Sequence, residues 1–486
     1  MKTEIAVNDV VLESPVVAGR RPLKARRGVL PVATNKAWWV LLAAITMIIL
    51  EGAFRKWVFP EGGLVKYLMY FSKDIIFAAL LFFPKRSQPS LVLKTFEKWL
   101  LPGCALLVLG AIASSMEGFN LVGAVLTARA VIILPVLAWL VVPRLMGLPL
   151  RWVIWLLIGF TVLNFALGVV QNRLPADNIL NRYSETGMDI VAVESGVRAT
   201  GTFSYITGIT ILSAIGIWAG LALMSLAKTQ WQRIGAWAAF AAGFGCGLAS
   251  VSRAPIVIGA AMVAGWLVCS RAGVSTLAKG LVAAVFCVVI ATGFGITPVF
   301  SELGQGLLQR SESGGDTFNE RAFGQLDEMI SALQSYPLGH GFGTEQIGGQ
   351  YYSTGEAGFN HYESPFPRLV METGAIGLVG YLIICAGALL ALQRAKLDAS
   401  AGTCGMLLAT QLLFLPMFYG SLIFDHTASA FVWMLMAAVM AAKELKPEAG
   451  GQMPEGGGQQ SERKSRRSER APHSVTNRDQ EDVAAD

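Results

Sequence analysis

The sequence predicts an all-α polytopic membrane protein with about 12 transmembrane helices, both termini cytoplasmic, and a large outer loop between helices 9 and 10. Three observations carry this. Of 486 residues, 53% are hydrophobic and only 15% charged, against roughly 25% charged in soluble domains. Apolar runs of membrane-spanning length recur from Trp38 to Met440, more than one soluble core can bury. The runs are continuous rather than alternating, which excludes a β-barrel and leaves helices as the way to satisfy the backbone in lipid.

Spans are expected at about 37–54, 64–83, 99–115, 121–142, 152–170, 203–226, 234–252, 255–270, 280–300, 372–392, 403–423 and 427–442. They form one transmembrane domain, 37–443, preceded by a basic leader, 1–36, and followed by a tail, 444–486. The tail is rich in Gly, Ser, Arg and Glu, a composition that favours disorder. The long charged leader, and a first apolar run ending in Glu51 and Arg55, do not read as a cleavable signal peptide. Of the 39 Lys and Arg, 27 fall in the leader, the tail and every second loop. That asymmetry places both termini inside. The net charge of +6 is therefore read as orientation rather than nucleic-acid binding. The six cysteines all lie in apolar stretches, so neither a disulfide framework nor a metal site is expected.

Two outer loops stand out, 171–202 and 301–371, the second long and acidic. Within it Thr317 and Glu320 read as a capping box. Phe323, Leu326, Ile330 and Leu333 then share one face of an amphipathic helix, lying on the membrane surface or lidding a cavity.

Ionisable groups in or beside spans are costly and ask for a reason. Arg253 lies in a very short outer turn, Arg198 precedes a span, and Arg321 opens the amphipathic helix. Guanidinium forks suit phosphate or carboxylate; the plainer role is to anchor helix ends. Glu363 and His361 lie where the long loop meets the tenth span, and either side chain can accept a proton there. Gly339 and Gly341 belong to a glycine-rich turn after the amphipathic helix, which is either a close-approach loop for substrate or a flexible turn. Glu51, Arg55, Lys73, Asp74 and Arg129 read as structural ion pairing, with Arg129 the candidate partner of Asp74; a proton path is the rival reading.

Several stretches together resemble the O-antigen ligase and polymerase family of bacterial surface polysaccharide assembly. One is Ser252-Arg253-Ala254 with Val257 four residues after the Arg. A second is Arg321 followed by Pro337-Leu338-Gly339-His340-Gly341-Phe342-Gly343. A third is Glu363-Ser364 at the family's His-Asn positions, separated by nine residues from Gly374-Ala375-Ile376-Gly377. A fourth is Arg198-Ala199-Thr200-Gly201-Thr202-Phe203. The matched order covers roughly residues 198–380. Glu363 replaces the family histidine, which points to the polymerase branch rather than to a strict ligase.

The resemblance implies a glycosyltransferase of the inner membrane that acts on polyprenyl-diphosphate-linked glycan. No ATP is available on the outer side, so the activated donor supplies the energy. Arg198, Arg253 and Arg321, with Gly339 and Gly341, are expected to hold substrate. Glu363, backed by His361, is expected to deprotonate the acceptor. Neither a cofactor nor a metal is expected; membrane lipid and other polysaccharide assembly proteins are the expected partners. The alternatives are an O-antigen ligase acting on a lipid A-core acceptor and, in another class, a polysaccharide transporter or flippase. A transporter usually shows paired halves and midplane polar sites, and no internal repeat is evident.

Overall fold

The computed structural model describes residues 36–60, 63–86, 91–182, 192–193, 196–252, 254–269, 315–345, 365–397, 399–419 and 426–445. Apart from residue 36 and residues 444–445, the expected leader and tail lie outside them, as does the expected span at 280–300.

Among the described residues the regular elements are helices, apart from one antiparallel pair of two-residue strands. In chain order they form α1 (Lys36–Ala53), α2 (Gly63–Ala79), α3 (Leu91–Ser114), α4 (Leu121–Ala128), α5 (Leu134–Leu145), α6 (Leu150–Arg173), α7 (Ile206–Leu226), α8 (Gln230–Ala249), α9 (Ala254–Cys269), α10 (Gly315–Ser335), α11 (Pro365–Leu397), α12 (Ala401–Tyr419) and α13 (His426–Ala441). Six stretches among them are long and apolar enough to cross a membrane: 36–58, 91–114, 121–145, 150–173, 206–226 and 366–397. Three shorter apolar helices accompany them. Their outward faces carry Trp39, Leu109, Ile112, Leu163 and Leu382, all exposed, as lipid-facing surfaces require. The chain is a helical membrane protein.

Two spans contain a widened π-turn. Phe54–Val58 extends α1, and Arg129–Ile133 joins α4 to α5 into one rod. Such turns are rare and occur often at functional sites. α13 is apolar on all sides and buried along almost its whole length, packed on α5, α1 and α7. α7 is likewise enclosed, and its Trp218 indole donates to Thr410 Oγ1 of α12 at 3.0 Å. α3 and α11 form the most extensive pair. Gly110 faces Gly377, and a Cβ on Gly103 would lie 2.7 Å from the Gly380 carbonyl oxygen. Backbones this close are what small residues allow inside membranes.

Loops meet at two ends. At one, Arg86 N–H donates to Pro143 O, Gly147 N–H to Ala441 O and Lys443 N–H to Leu148 O. At the other, residues 118–120 pair with Phe342, and residues 337–341 pair with 371–375. Lys56 reaches Thr200 at this second end.

Two local expectations are corrected. α10 begins at Gly315, which puts Thr317 inside the helix rather than at its cap. Its packed face holds Met329, Ala332 and Leu333, whereas Leu326 and Ile330 are exposed. The stripe is rotated because α10 leans on α11 along one side only. The loop expected from residue 171 begins three residues later, and some of its described residues are buried. α6 runs on to Arg173, and Asn181, Ala199 and Thr200 are buried.

Candidate functional site

Residues 198–204 form a strap threaded into the second end of the bundle. Its backbone pairs with itself at Phe203 N–H to Thr200 O, and neighbouring helices satisfy much of the rest. Gln171 Oε1 accepts from the N–H groups of Thr200 (3.1 Å) and Gly201 (2.8 Å). Asn164 Oδ1 accepts from Thr202 N–H at 2.8 Å, and Thr202 Oγ1 donates to Ile49 O at 2.7 Å. Gly201 has φ +59, and a Cβ there would strike Asn164, so this position requires glycine.

Arg198 opens the strap. Its Nε donates to Ser250 O at 3.0 Å, while Ala199 N–H donates to Ala249 O, also at 3.0 Å. The strap thus docks on the turn between α8 and α9, where Val251 has φ 50. A β-branched residue with positive φ is strained, and such strain gathers at functional sites. Ser252 follows. Arg253, Glu363 and His361 lie outside the described residues, and of Arg321 only the helical backbone, in the first two turns of α10, is described. The structure therefore joins Arg198 to the turn that leads into Arg253.

The glycine-rich turn lies at the second end of the bundle. Gly339 and Gly341 are buried and face protein backbone. A Cβ on Gly339 would lie 3.0 Å from Gly374 N, and one on Gly341 would lie 3.0 Å from Gly118 O. Both have positive φ. The turn fills a break in α11 at Gly374 (φ 66): Ala375 N–H donates to Pro337 O at 2.9 Å, and Met371 O accepts from His340 N–H at 2.6 Å. Glycine here lets chain segments approach each other, while Tyr336, Leu338 and His340 of the same turn are exposed.

Beside that break lie two residues that the sequence reading passed over. Glu372 is wholly buried, and its Oε2 accepts from Thr127 Oγ1. Its Oε1 lies 3.7 Å from Arg368 Nε. The signal was present: a carboxylate set in an apolar run of spanning length asks for a partner.

The ion pairing read from sequence is present and richer than expected. Arg129 donates to both oxygens of Asp74, at 2.7 and 2.9 Å. Lys73 and Arg55 share Glu51, the latter pair at 3.1 Å. Lys56, not singled out from sequence, donates to Thr200 Oγ1 at 2.9 Å and Gly201 O at 2.8 Å. Glu51 and Glu372 each lie seven residues from the end of their helical run at this end, and Arg129 eight from its own. At 1.5 Å per residue the buried charges share a depth of about 10–12 Å.

No protein-family model and no curated protein matches the chain, so the functional reading rests on these residues.

Proposed function

We propose that the protein is a polymerase that joins polyprenyl-diphosphate-linked oligosaccharide repeats into an exopolysaccharide or O-antigen. It would work at the periplasmic face of a bacterial inner membrane, through about 12 spans with both termini cytoplasmic. The sorting of loops into two ends supports this orientation. One end gathers Arg86, Arg144, Arg151 and Lys443, and the other holds the buried pairs and the strap.

One observation carries the reading most directly. The Arg198 side chain is hydrogen-bonded to Ser250 in the strained turn that precedes Arg253 in sequence, and this supports a shared role for the two arginines. In the reaction, the acceptor hydroxyl gives its proton to Glu363, with His361 in reserve. The oxygen attacks the anomeric carbon of the donor sugar, and the bond from that carbon to the lipid diphosphate breaks. Charge develops on the departing diphosphate, and Arg198, Arg253 and Arg321 stabilise it with preorganised donors. Glu363 in place of the family histidine favours polymerisation over ligation.

A deletion strain analysed for surface polymer tests this. Single repeats left on the lipid carrier are the expected result. Unligated long chains would make the protein a ligase instead. Lost polymer, with labelled lipid-linked substrate failing to cross the membrane, would replace the enzyme with a transporter. Within the polymerase, Glu363→Gln is expected to lower chain yield about 100-fold; unaltered chain length and yield would remove Glu363 as the base.

A further inference from the structure

The proposed chemistry leaves the Glu51 cluster unused, and its charges do not balance. Four cations gather there, Arg55, Lys56, Lys73 and Arg129, each buried. Among the described residues two carboxylates pair with them: Glu51 with Arg55 and Lys73, and Asp74 with Arg129. Among the described residues, and counting every side chain as charged, the cations outnumber these carboxylates by two. Lys56 is the clearest case. It is 1% exposed, and its hydrogen-bond acceptors are a hydroxyl and a carbonyl, with the Trp57 ring centroid 4.8 Å away. The Arg55 Nε is buried without a hydrogen-bond partner. Three of the cations crowd one ring: Lys73 lies 4.5 Å, Arg55 5.6 Å and Arg129 5.7 Å from the centroid of Tyr70.

Unpaired charge in a dry interior is strongly unfavourable, and at this depth in lipid it is found where function needs it. The backbone is adapted to hold it. In an α-helix adjacent residues point about 100° apart. The widened turn at Phe54–Val58 buries both Arg55 and Lys56, and the second widened turn begins at Arg129.

We propose that Arg55 and Lys56 form a buried site for a phosphate or diphosphate group, whose negative charge balances the cluster. Arg55 supplies a planar fork and Lys56 a compact point charge, the pairing that phosphate oxygens favour. Ser204, which accepts from Arg55 at 3.3 Å, borders the site, and the next residue, Tyr205, is exposed. The strap connects this site with the other arginines: Thr200, Gly201 and Ser204 touch Lys56 and Arg55, and Arg198 lies at its opposite end. The site rests on the proposed function only in naming its natural occupant, a lipid-linked diphosphate. A free phosphate or pyrophosphate shares the chemistry.

The test uses the full chain in lipid nanodiscs, with inorganic pyrophosphate as probe. Pyrophosphate should raise the unfolding temperature of the wild type. Lys56→Met and Arg55→Met should each weaken its binding about tenfold or more, as expected when a charged hydrogen bond is lost. Lys94→Met, at an exposed position of α3, should leave binding unchanged. Lys56→Arg keeps the charge and should retain binding, which separates loss of the site from loss of the fold. Polyprenyl monophosphate in the nanodisc displaces pyrophosphate if a lipid headgroup is the occupant; undiminished binding assigns the site to a free anion. Absence of any stabilisation of the wild type overturns the proposal whatever the variants do. Equal affinity in wild type, Lys56→Met and Arg55→Met overturns it as well. A deletion strain with normal polymer, together with Lys56-dependent binding, would refute the polymerase and keep the site. Lost polymer with Lys56-independent binding would do the reverse.

Discussion

Two helix groups at the same end of the bundle solve burial in opposite ways. α3 and α11 meet through absence: Gly103, Gly110, Gly377 and Gly380 leave the backbones in near contact. α1, α2 and α4 meet through presence. Glu51, Arg55, Lys73, Asp74 and Arg129 pair there, Lys56 turns to the strap, and the backbone widens into π-turns at Arg55 and Lys56 and at Arg129. The first solution is rigid, because a side chain added at the glycines meets backbone that cannot move aside. The second tolerates exchange, because polar contacts can be remade with an incoming group. A site that must admit an anion belongs in the second group.

The sharpest way to break this contrast is to unbalance the charges. Glu51→Gln removes the carboxylate shared by Lys73 and Arg55, and the loss expected from breaking a buried pair is about 3–5 kcal/mol. Thermal unfolding of the purified protein in detergent measures it, and adding Lys73→Met should restore part of the stability. No loss in the single variant would show that the cluster is not dry. On the glycine side, Gly380→Val should cost about 1–3 kcal/mol through overpacking against Gly103 and Leu107. Wild-type stability there would mean that α3 and α11 can separate without penalty. The smallest effect is expected on the outer face of α10. Ile330→Ser, at an exposed position, should change stability by no more than about 0.5 kcal/mol. A large loss would reveal a partner covering that face.

Much of the fold was legible. Continuous apolar runs gave α1, α6 and α7 nearly to their ends, since lipid demands length and hydrophobicity along the chain itself. The Asp74–Arg129 pair followed from the same logic, two opposite charges in apolar runs with no solvent to turn to. The site was legible only in part. Arg198 was singled out, yet its docking on Ser250 joins residues that lie 52 apart in sequence. Gly339 and Gly341 read as a substrate loop or a flexible turn, and only the tertiary structure showed their close packing on Gly374 and Gly118. Leu326 and Ile330 had the right period but the wrong face, because periodicity states that a face exists and not which neighbour covers it.

The sequence alone determined that the chain must form apolar helices and that any charge within them must find a partner. Both follow from transfer free energies, which each residue carries with it. Tertiary structure alone decided which partner each charge found. It brought Lys56 to the Thr200 hydroxyl and the Gly201 carbonyl rather than to a carboxylate, and it set Glu372 beside Thr127. Those choices depend on which helix lies against which, and that is fixed by packing among residues far apart along the chain.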